Sequence, residues 1–397
     1  MKIAILTSGI LPVPAVKGGA VENLTDFYLE YNDKHHLHDI TVYSVDDDAV
    51  KNHPDLCSTV NHYHYIKVHG LWPKFAKRLF HLLHRQQEYY HYSIEYFLHQ
   101  ALRDIRKQDY DIVILENRPA YALKLIGQTK ACIIYHLHNE KLHDGIPQYQ
   151  EIYDAATKII NVSNYITSRV RTINSHDRKC ETVYNGIDLQ AFSTKEHRHG
   201  RRDIGLADDD FVIIFSGRVN QEKGIMELIK AMVLLKEHPH IKLLVIGSSF
   251  FGNADNKNEF AKSLMEEAAP LKDRILFTGF IPYSQMPGYL QMANLSVIPS
   301  IWDDPFPTTV LEAQAMGLPV IASRRGGIPE EVTDECAILL DTDDHFVSYL
   351  AQTILDLYQH PEKCKAMGEA AKKHSMFFNK ERYAQDFFKA IENTPTH

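Results

Sequence analysis

The chain has 397 residues, 44% of them hydrophobic and 24% charged, which is enough for two or three folded domains with sizeable cores. Its formal charge of −8 gives no general attraction to nucleic acid, and no window approaches the roughly 18 uninterrupted apolar residues of a membrane span. Cys57, Cys132, Cys180, Cys336 and Cys364 are scattered, odd in number and without a CxxC spacing, which argues against a zinc knuckle or disulfide framework and fits a reducing compartment.

The N-terminal run at 3–6 reads as a buried first strand rather than a signal peptide. Further apolar runs follow at 40–43, 112–115, 132–135, 159–162, 212–215, 243–246, 275–277, 295–298 and 320–322. They are β-branched or Leu-rich with little polar alternation, the pattern of parallel strands covered on both faces. Amphipathic segments lie between them, the longest at 72–107, so the alternation predicts a doubly wound α/β protein. The rhythm pauses once, at polar residues 189–208, which predicts a linker between two similar domains, 1–190 and 191–374. A last helix is expected at 381–391.

Three stretches carry candidate chemistry. Lys17-Gly18-Gly19-Ala20-Val21-Glu22 follows the first strand; adjacent glycines there allow either a tight turn or backbone N–H groups approaching a diphosphate at a helix N-terminus. No GxGxxG dinucleotide fingerprint occurs. In Phe215-Ser216-Gly217-Arg218-Val219-Asn220-Gln221-Glu222-Lys223-Gly224, a strand ends and two cations stand five residues apart. They are either a solvated loop pair or a phosphate grip beyond a strand's carboxyl end. In the third, Asp304 precedes and Glu312 lies within a helix opening near Thr309, so the two acids, eight residues apart, can face one cleft. Free N–H groups of Thr308, Thr309 and Val310 would point between them, unless Thr308 is an ordinary N-cap and the acids are surface groups.

Taken together with Tyr184-Asn185-Gly186-Ile187-Asp188, Gly317-Leu318-Pro319-Val320-Ile321-Ala322 and Gly326-Gly327, these motifs resemble glycosyltransferase family 4, in order and spacing. The resemblance runs to about residue 340 and is strongest in the C-terminal half. It implies the GT-B architecture, two doubly wound Rossmann-like domains facing a cleft, with segment 375–397 returning to the first domain. It further implies a retaining, metal-independent transferase of the bacterial surface-polysaccharide type, located in the cytoplasm or at the inner face of the cell membrane. The donor is a nucleotide-diphosphate sugar, with UDP the expected nucleotide, and the acceptor a glycan, lipid-linked or small molecule; no cofactor is required.

The resemblance also implies residue roles. Glu312 accepts hydrogen bonds from the ribose, and Asp304 meets hydroxyls of the donated sugar. The backbone of Phe306, Pro307, Thr308 and Thr309 touches the sugar and distal phosphate, while Arg218 and Lys223 neutralise the leaving diphosphate. Gly18, Gly19 and Gly217 line the donor site, Phe280 and Ile281 border the base, and His138 lies near the reacting face. The family usually has Glu and Gly where this chain has Asp304 and Pro307, a departure that bears on the identity of the sugar.

Other readings share parts of this pattern. A GT-B sugar-nucleotide epimerase, a pyridoxal phosphorylase and a non-catalytic sugar-nucleotide-binding protein use the same scaffold. Donor hydrolysis without an acceptor favours a transferase over a binding protein. Asp46-Asp47-Asp48 imitates the DxD of metal-dependent GT-A transferases, but a solvated acidic loop explains it as well. Among 23 histidines, His62 with His64 and His136 with His138 suggest metal ligands, yet neither pair has a Cys or carboxylate at ligand spacing, and no metal is expected. Finally, Trp72, Phe75, Leu79, Leu82 and Leu83 form an apolar stripe flanked by Lys74, Lys77, Arg78 and Arg85. Residues 72–85 could pack on a sheet or contact an anionic membrane peripherally.

Overall fold

The computed structural model describes residues 1–51, 53–68, 92–192, 200–247, 259–271 and 273–394. The stripe at 72–85 lies outside the described residues, as does most of the long helical segment. Its described part is the helix Tyr92–Ile105. The chain divides into two compact units, Met1–Gly186 with Lys380–His397, and Ile187–Asn379. The sequence pattern put these limits at 190 and 374.

The first unit holds seven strands: β1 (Lys2–Leu6), β2 (Asp39–Val45), β3 (Asn61–Ile66), β4 (Ile112–Glu116), β5 (Cys132–Leu137), β6 (Lys158–Asn161) and β7 (Cys180–Thr182). All pairings are parallel, in the order β3-β2-β1-β4-β5-β6-β7. The second unit holds β8 (Phe211–Ser216), β9 (Ile241–Ile246), β10 (Ile275–Gly279), β11 (Leu295–Ile298), β12 (Val320–Ser323) and β13 (Ala337–Leu340), again all parallel, in the order β10-β9-β8-β11-β12-β13. Each sheet reverses its winding once, between β1 and β4 and between β8 and β11. Crevices at such reversals, beyond the carboxyl ends of the strands, are where open α/β sheets receive ligands.

Every apolar run read as a strand is one. Three strands escaped that reading: β3, β7 and β13, each at a sheet edge. Strand β3 reads Asn-His-Tyr-His-Tyr-Ile, because an edge strand has a wet side and needs no continuous apolar run.

The C-terminal helix Lys380–Glu392 belongs to the first unit and lies on helix Ala20–His35. Phe387 stacks on Tyr28 with ring centroids 4.2 Å apart, and Phe388 meets the same ring edge-on at 6.2 Å. Arg382 donates to the carbonyls of Tyr184 and Asn185 at 3.0 and 2.9 Å. Phe387 is fully buried. Truncation of such a side chain costs about 3–5 kcal/mol, so Phe387→Ala should lower the unfolding free energy by that amount in urea denaturation. An unshifted midpoint would mean that this helix contributes nothing to the core it covers.

Candidate functional site

In the second unit, three loops leave the carboxyl ends of β8, β11 and β12. Two glycines let them touch. Gly224 has φ +69°, and a Cβ there would lie 1.8 Å from the Pro299 carbonyl oxygen; Gly326 has φ +56°, and its Cβ would lie 2.2 Å from the Asp304 carbonyl oxygen. No larger residue fits either place. The Glu222 carbonyl accepts from the Ile301 N–H at 2.9 Å, and the Asp304 carbonyl from the Gly327 N–H at 2.7 Å.

This packing brings Lys223 and Asp304, 81 residues apart, into a largely buried ion pair. Ser300 Oγ donates to Asp304 Oδ2 at 3.3 Å, and the ammonium lies 5.7 Å from the centre of the Trp302 ring. Arg218 does not join them: it is exposed and faces Glu222 at 3.7 Å, a loose pair that an anionic ligand can exchange at little cost.

The helix after Pro307 runs Thr308–Ala315. The expectation of three free N–H groups needs correction, since Val310 donates to the Pro307 carbonyl at 3.1 Å and closes a tight first turn. Those of Thr308 and Thr309 have no partner among the described residues. Thr308 is not the N-cap; its hydroxyl donates to Glu312 Oε1 at 3.1 Å. Burial pushes the Glu312 carboxyl up to about 7, and the Thr308 hydrogen bond only partly offsets this.

Two further residues at this site escaped the sequence reading. Tyr283 lies beside Phe192, with centroids 5.6 Å apart, and both burial and the charge of Glu312 push its hydroxyl pKa up. Glu331 is fully buried with both carboxyl oxygens unpartnered; burial first, then the charge of Asp304, drives its pKa well above the usual range. Nothing in their spacing singled them out. Phe280 is 65% exposed just beyond β10, and Ile281 is half-buried beside it. A separate hollow lined by Phe211, Asn294, Gly317, Cys364 and Lys372 sits at the opposite, amino ends of the strands, away from these groups.

In the first unit, Gly18 and Gly19 have φ +74° and +107° and lead into helix Ala20–His35. The Glu22 carboxyl folds back over Gly19, where a Cβ would meet its Oε2 at 2.2 Å. Burial pushes Glu22 up to about 7, with the charge of Glu116 adding to it. Lys17 forms an ion pair with Asp47, which also caps a short turn, so the acidic triplet serves local structure.

The His136–His138 pair needs a second correction. Glu116, at the end of β4, is in register with His136 on β5. Its Oε1 lies 3.0 Å from His136 Nδ1, its Oε2 lies 3.1 Å from His138 Nε2, and Tyr28 donates to Oε1 at 2.8 Å. A carboxylate partner therefore exists; it arrives laterally, across strands, where spacing along the chain cannot reveal it. Burial opposes ionisation of Glu116, but attraction to His136 and the two histidine hydrogen bonds outweigh it and hold the carboxyl well below the usual range. Burial and the neighbouring His136 push His138 down to about 4. An ionised carboxylate only accepts, so neutral His138 keeps its proton on Nε2 and leaves Nδ1 as an acceptor.

Among the described residues, two groups present three possible metal ligands within 4.8 Å of one another: Glu116 with His136 and His138, and Asp209 with Asp210 and His240. The first is knit by hydrogen bonds that a cation would have to displace. No described helix is long and apolar enough to cross a membrane.

Residues 197–374 match the family of glycosyl transferases, group 1. The chain is 30% identical to spore coat protein SA of Bacillus subtilis, over 99% of both chains. It is 25% identical to the lipopolysaccharide 1,2-N-acetylglucosaminetransferase of Salmonella typhimurium, over 74% of this chain and 75% of that one. In fold it is similar to the crystal structure of Anabaena HepE in complex with UDP-glucose, with a TM-score of 0.74 and 20% identity over 99% of each chain.

The buried His138 gives a pH signature. Its folded pKa lies below the unfolded value, so the unfolded chain binds the extra proton and stability falls as pH drops from about 6.5 towards 4. Relative to His138→Gln, the native chain should lose about 2–3 kcal/mol of unfolding free energy between pH 7.5 and pH 4.5. Parallel denaturation profiles for the two proteins would contradict a neutral buried His138.

Proposed function

This chain belongs to the glycosyl transferases, group 1, and we propose that it moves a hexose or N-acetylhexosamine from a UDP-sugar with retention and without a metal ion. The observation that carries this reading is the buried Lys223–Asp304 pair beside a helix N-terminus with unpartnered N–H groups, one turn before the buried Glu312. Cation and N–H donors suit the diphosphate of such a donor, and the two acceptor carboxylates suit the hydroxyls of its sugar and its ribose. The UDP-glucose complex of HepE and the N-acetylglucosamine transfer named for the Salmonella relative support this donor class.

In this reading the donor lies on the second unit. Its diphosphate draws Arg218 and Lys223 from their acids, and Asp304, released from Lys223, accepts hydrogen bonds from the sugar hydroxyls. The N–H groups of Thr308 and Thr309 face the distal phosphate, with Phe306, Pro307 and Gly217 lining the sugar and phosphate. Glu312 takes the ribose hydroxyls, and Phe280 and Ile281 border the base. The Gly18 N–H, expected at the diphosphate, donates instead to the Ala15 carbonyl at 2.9 Å. The bond from the sugar's anomeric carbon to the phosphate oxygen breaks, and the acceptor oxygen bonds to the same face of that carbon. The acceptor's proton passes to the departing phosphate, so no protein nucleophile is needed. Fixed cations stabilise the charge building on the leaving group, and loss of one such contact costs on the order of 10²–10³ in rate. His138 Nδ1 is free to orient a hydroxyl. The acceptor, a glycan or lipid-linked molecule of a surface polysaccharide, lies on the first unit. The basic apolar stripe at 72–85 would hold the enzyme to the inner face of an anionic membrane.

Only ionised Glu312 accepts both ribose hydrogen bonds, so UDP affinity should rise about tenfold from pH 6 to pH 8 in calorimetry, as a group titrating near 7 goes from about a tenth to about nine-tenths ionised. Glu312→Gln should abolish that slope and weaken UDP roughly 10–150-fold at pH 8, through loss of charge-assisted hydrogen bonds worth about 1.5–3 kcal/mol. A flat profile in the native chain removes Glu312 from the ribose site. Donor hydrolysis should persist in excess EDTA; activity lost to the chelator and restored by Mg²⁺ or Mn²⁺ would overturn the metal-free mechanism.

A further inference from the structure

The neighbouring loops that leave β4 and β5 in the first unit hold two cations that the mechanism above leaves unused. Arg118 lies in the loop leaving β4, and Lys141 in the loop leaving β5. The two loops are fastened together: Asn117, at φ 55°, donates its N–H to the His136 carbonyl at 2.8 Å and accepts from the His138 N–H at 3.2 Å. Tyr121 ties the β4 loop to the β1 loop through the Ser8 carbonyl at 3.1 Å. Both cations are half-buried, Arg118 Nε is buried with no hydrogen-bond partner, and neither residue has an ion pair among the described residues. Glu140, the acid next to Lys141, is held instead by Arg169 at 3.1 Å and Tyr165 at 3.0 Å.

Such a pairing is costly. Burial and the charge of Arg118 push Lys141 down to about 8, so the site resists its own second proton. Proteins seldom keep two like charges half-buried without an acid unless a ligand supplies the countercharge. Arginine grips a tetrahedral oxyanion with two parallel N–H groups and lysine adds a mobile charge, so the pair matches a dianion. Asn139 Oδ1, buried and unpartnered in the same loop as Lys141, offers an acceptor for a neighbouring hydroxyl. We propose that Arg118 and Lys141 form a subsite for a phosphate group carried by the acceptor. The proposal rests on the reading of the first unit as the acceptor side, and it narrows the acceptor to a phosphorylated polyol, sugar or lipid.

The test titrates the full chain, saturated with UDP, with inorganic phosphate at pH 8. One phosphate should bind per chain, with proton uptake by Lys141 read as a dependence of the binding heat on the buffer's ionisation enthalpy. Arg118→Gln and Lys141→Gln should each weaken phosphate about tenfold while UDP affinity, the control for folding, stays unchanged. Absence of phosphate binding in the native chain, or undiminished binding in the double variant, overturns the proposal. Glucuronate binding as tightly as phosphate overturns the phosphate assignment. Failure of UDP to bind the native chain would sink the donor reading alone, and the phosphate titration then decides this proposal on the UDP-free chain. Phosphatidylcholine vesicles with and without phosphatidic acid separate the sources. Variant-sensitive pelleting with phosphatidic acid assigns the phosphate to a lipid, and phosphate binding without pelleting assigns it to a soluble acceptor.

Discussion

Parallel pairing constrains everything else in this chain. A parallel strand needs a crossover connection, usually a helix, before the next can pair, so both faces of each sheet are covered and the inner strands carry apolar side chains on both sides. Ile3, Ile5, Ile112 and Ile114 are fully buried in one sheet and Ile213, Leu243 and Leu295 in the other. Polar chemistry has no room along such strands and moves to their carboxyl ends. Each sheet reverses its winding once, and the candidate residues gather in the loops beside those reversals.

Within those loops, a buried carboxyl takes its character from what faces it. Glu116 is saturated by Tyr28, His136 and His138 and stays ionised although wholly enclosed. Asp304 faces the Lys223 ammonium and the Ser300 hydroxyl. Glu312 has a single hydroxyl partner and Glu331 none, so desolvation prevails and raises both. The chain thus sets a firmly paired acid beside poised ones, an arrangement typical of ligand sites.

The two units solve the same problem with different materials. In the second, glycine contacts at Gly224 and Gly326 press loops together until distant side chains meet. In the first, side-chain hydrogen bonds from Asn117 and Tyr121 do so, and the chain's own C-terminal helix supplies Phe387 to cover Tyr28.

The sequence by itself determined the fold class, because ten runs without polar alternation can be satisfied only by doubly covered parallel strands. It also marked Lys223, Asp304 and Glu312, since a glycine turn after a strand and an acid at the start of a helix are local signals. Edge strands β3 and β7 were not legible, because a half-wet strand carries too little apolar pattern, whereas β13 is an apolar Ala-Ile-Leu-Leu run that the strand reading passed over. Only the tertiary structure decided which groups meet: Glu116 reaches His136 and His138 across the sheet, Lys223 finds Asp304 across 81 residues, and Asn117 fastens the β4 loop to the β5 loop. Lateral register and loop-to-loop packing set these encounters, and neither has a period or spacing that a linear reading can detect.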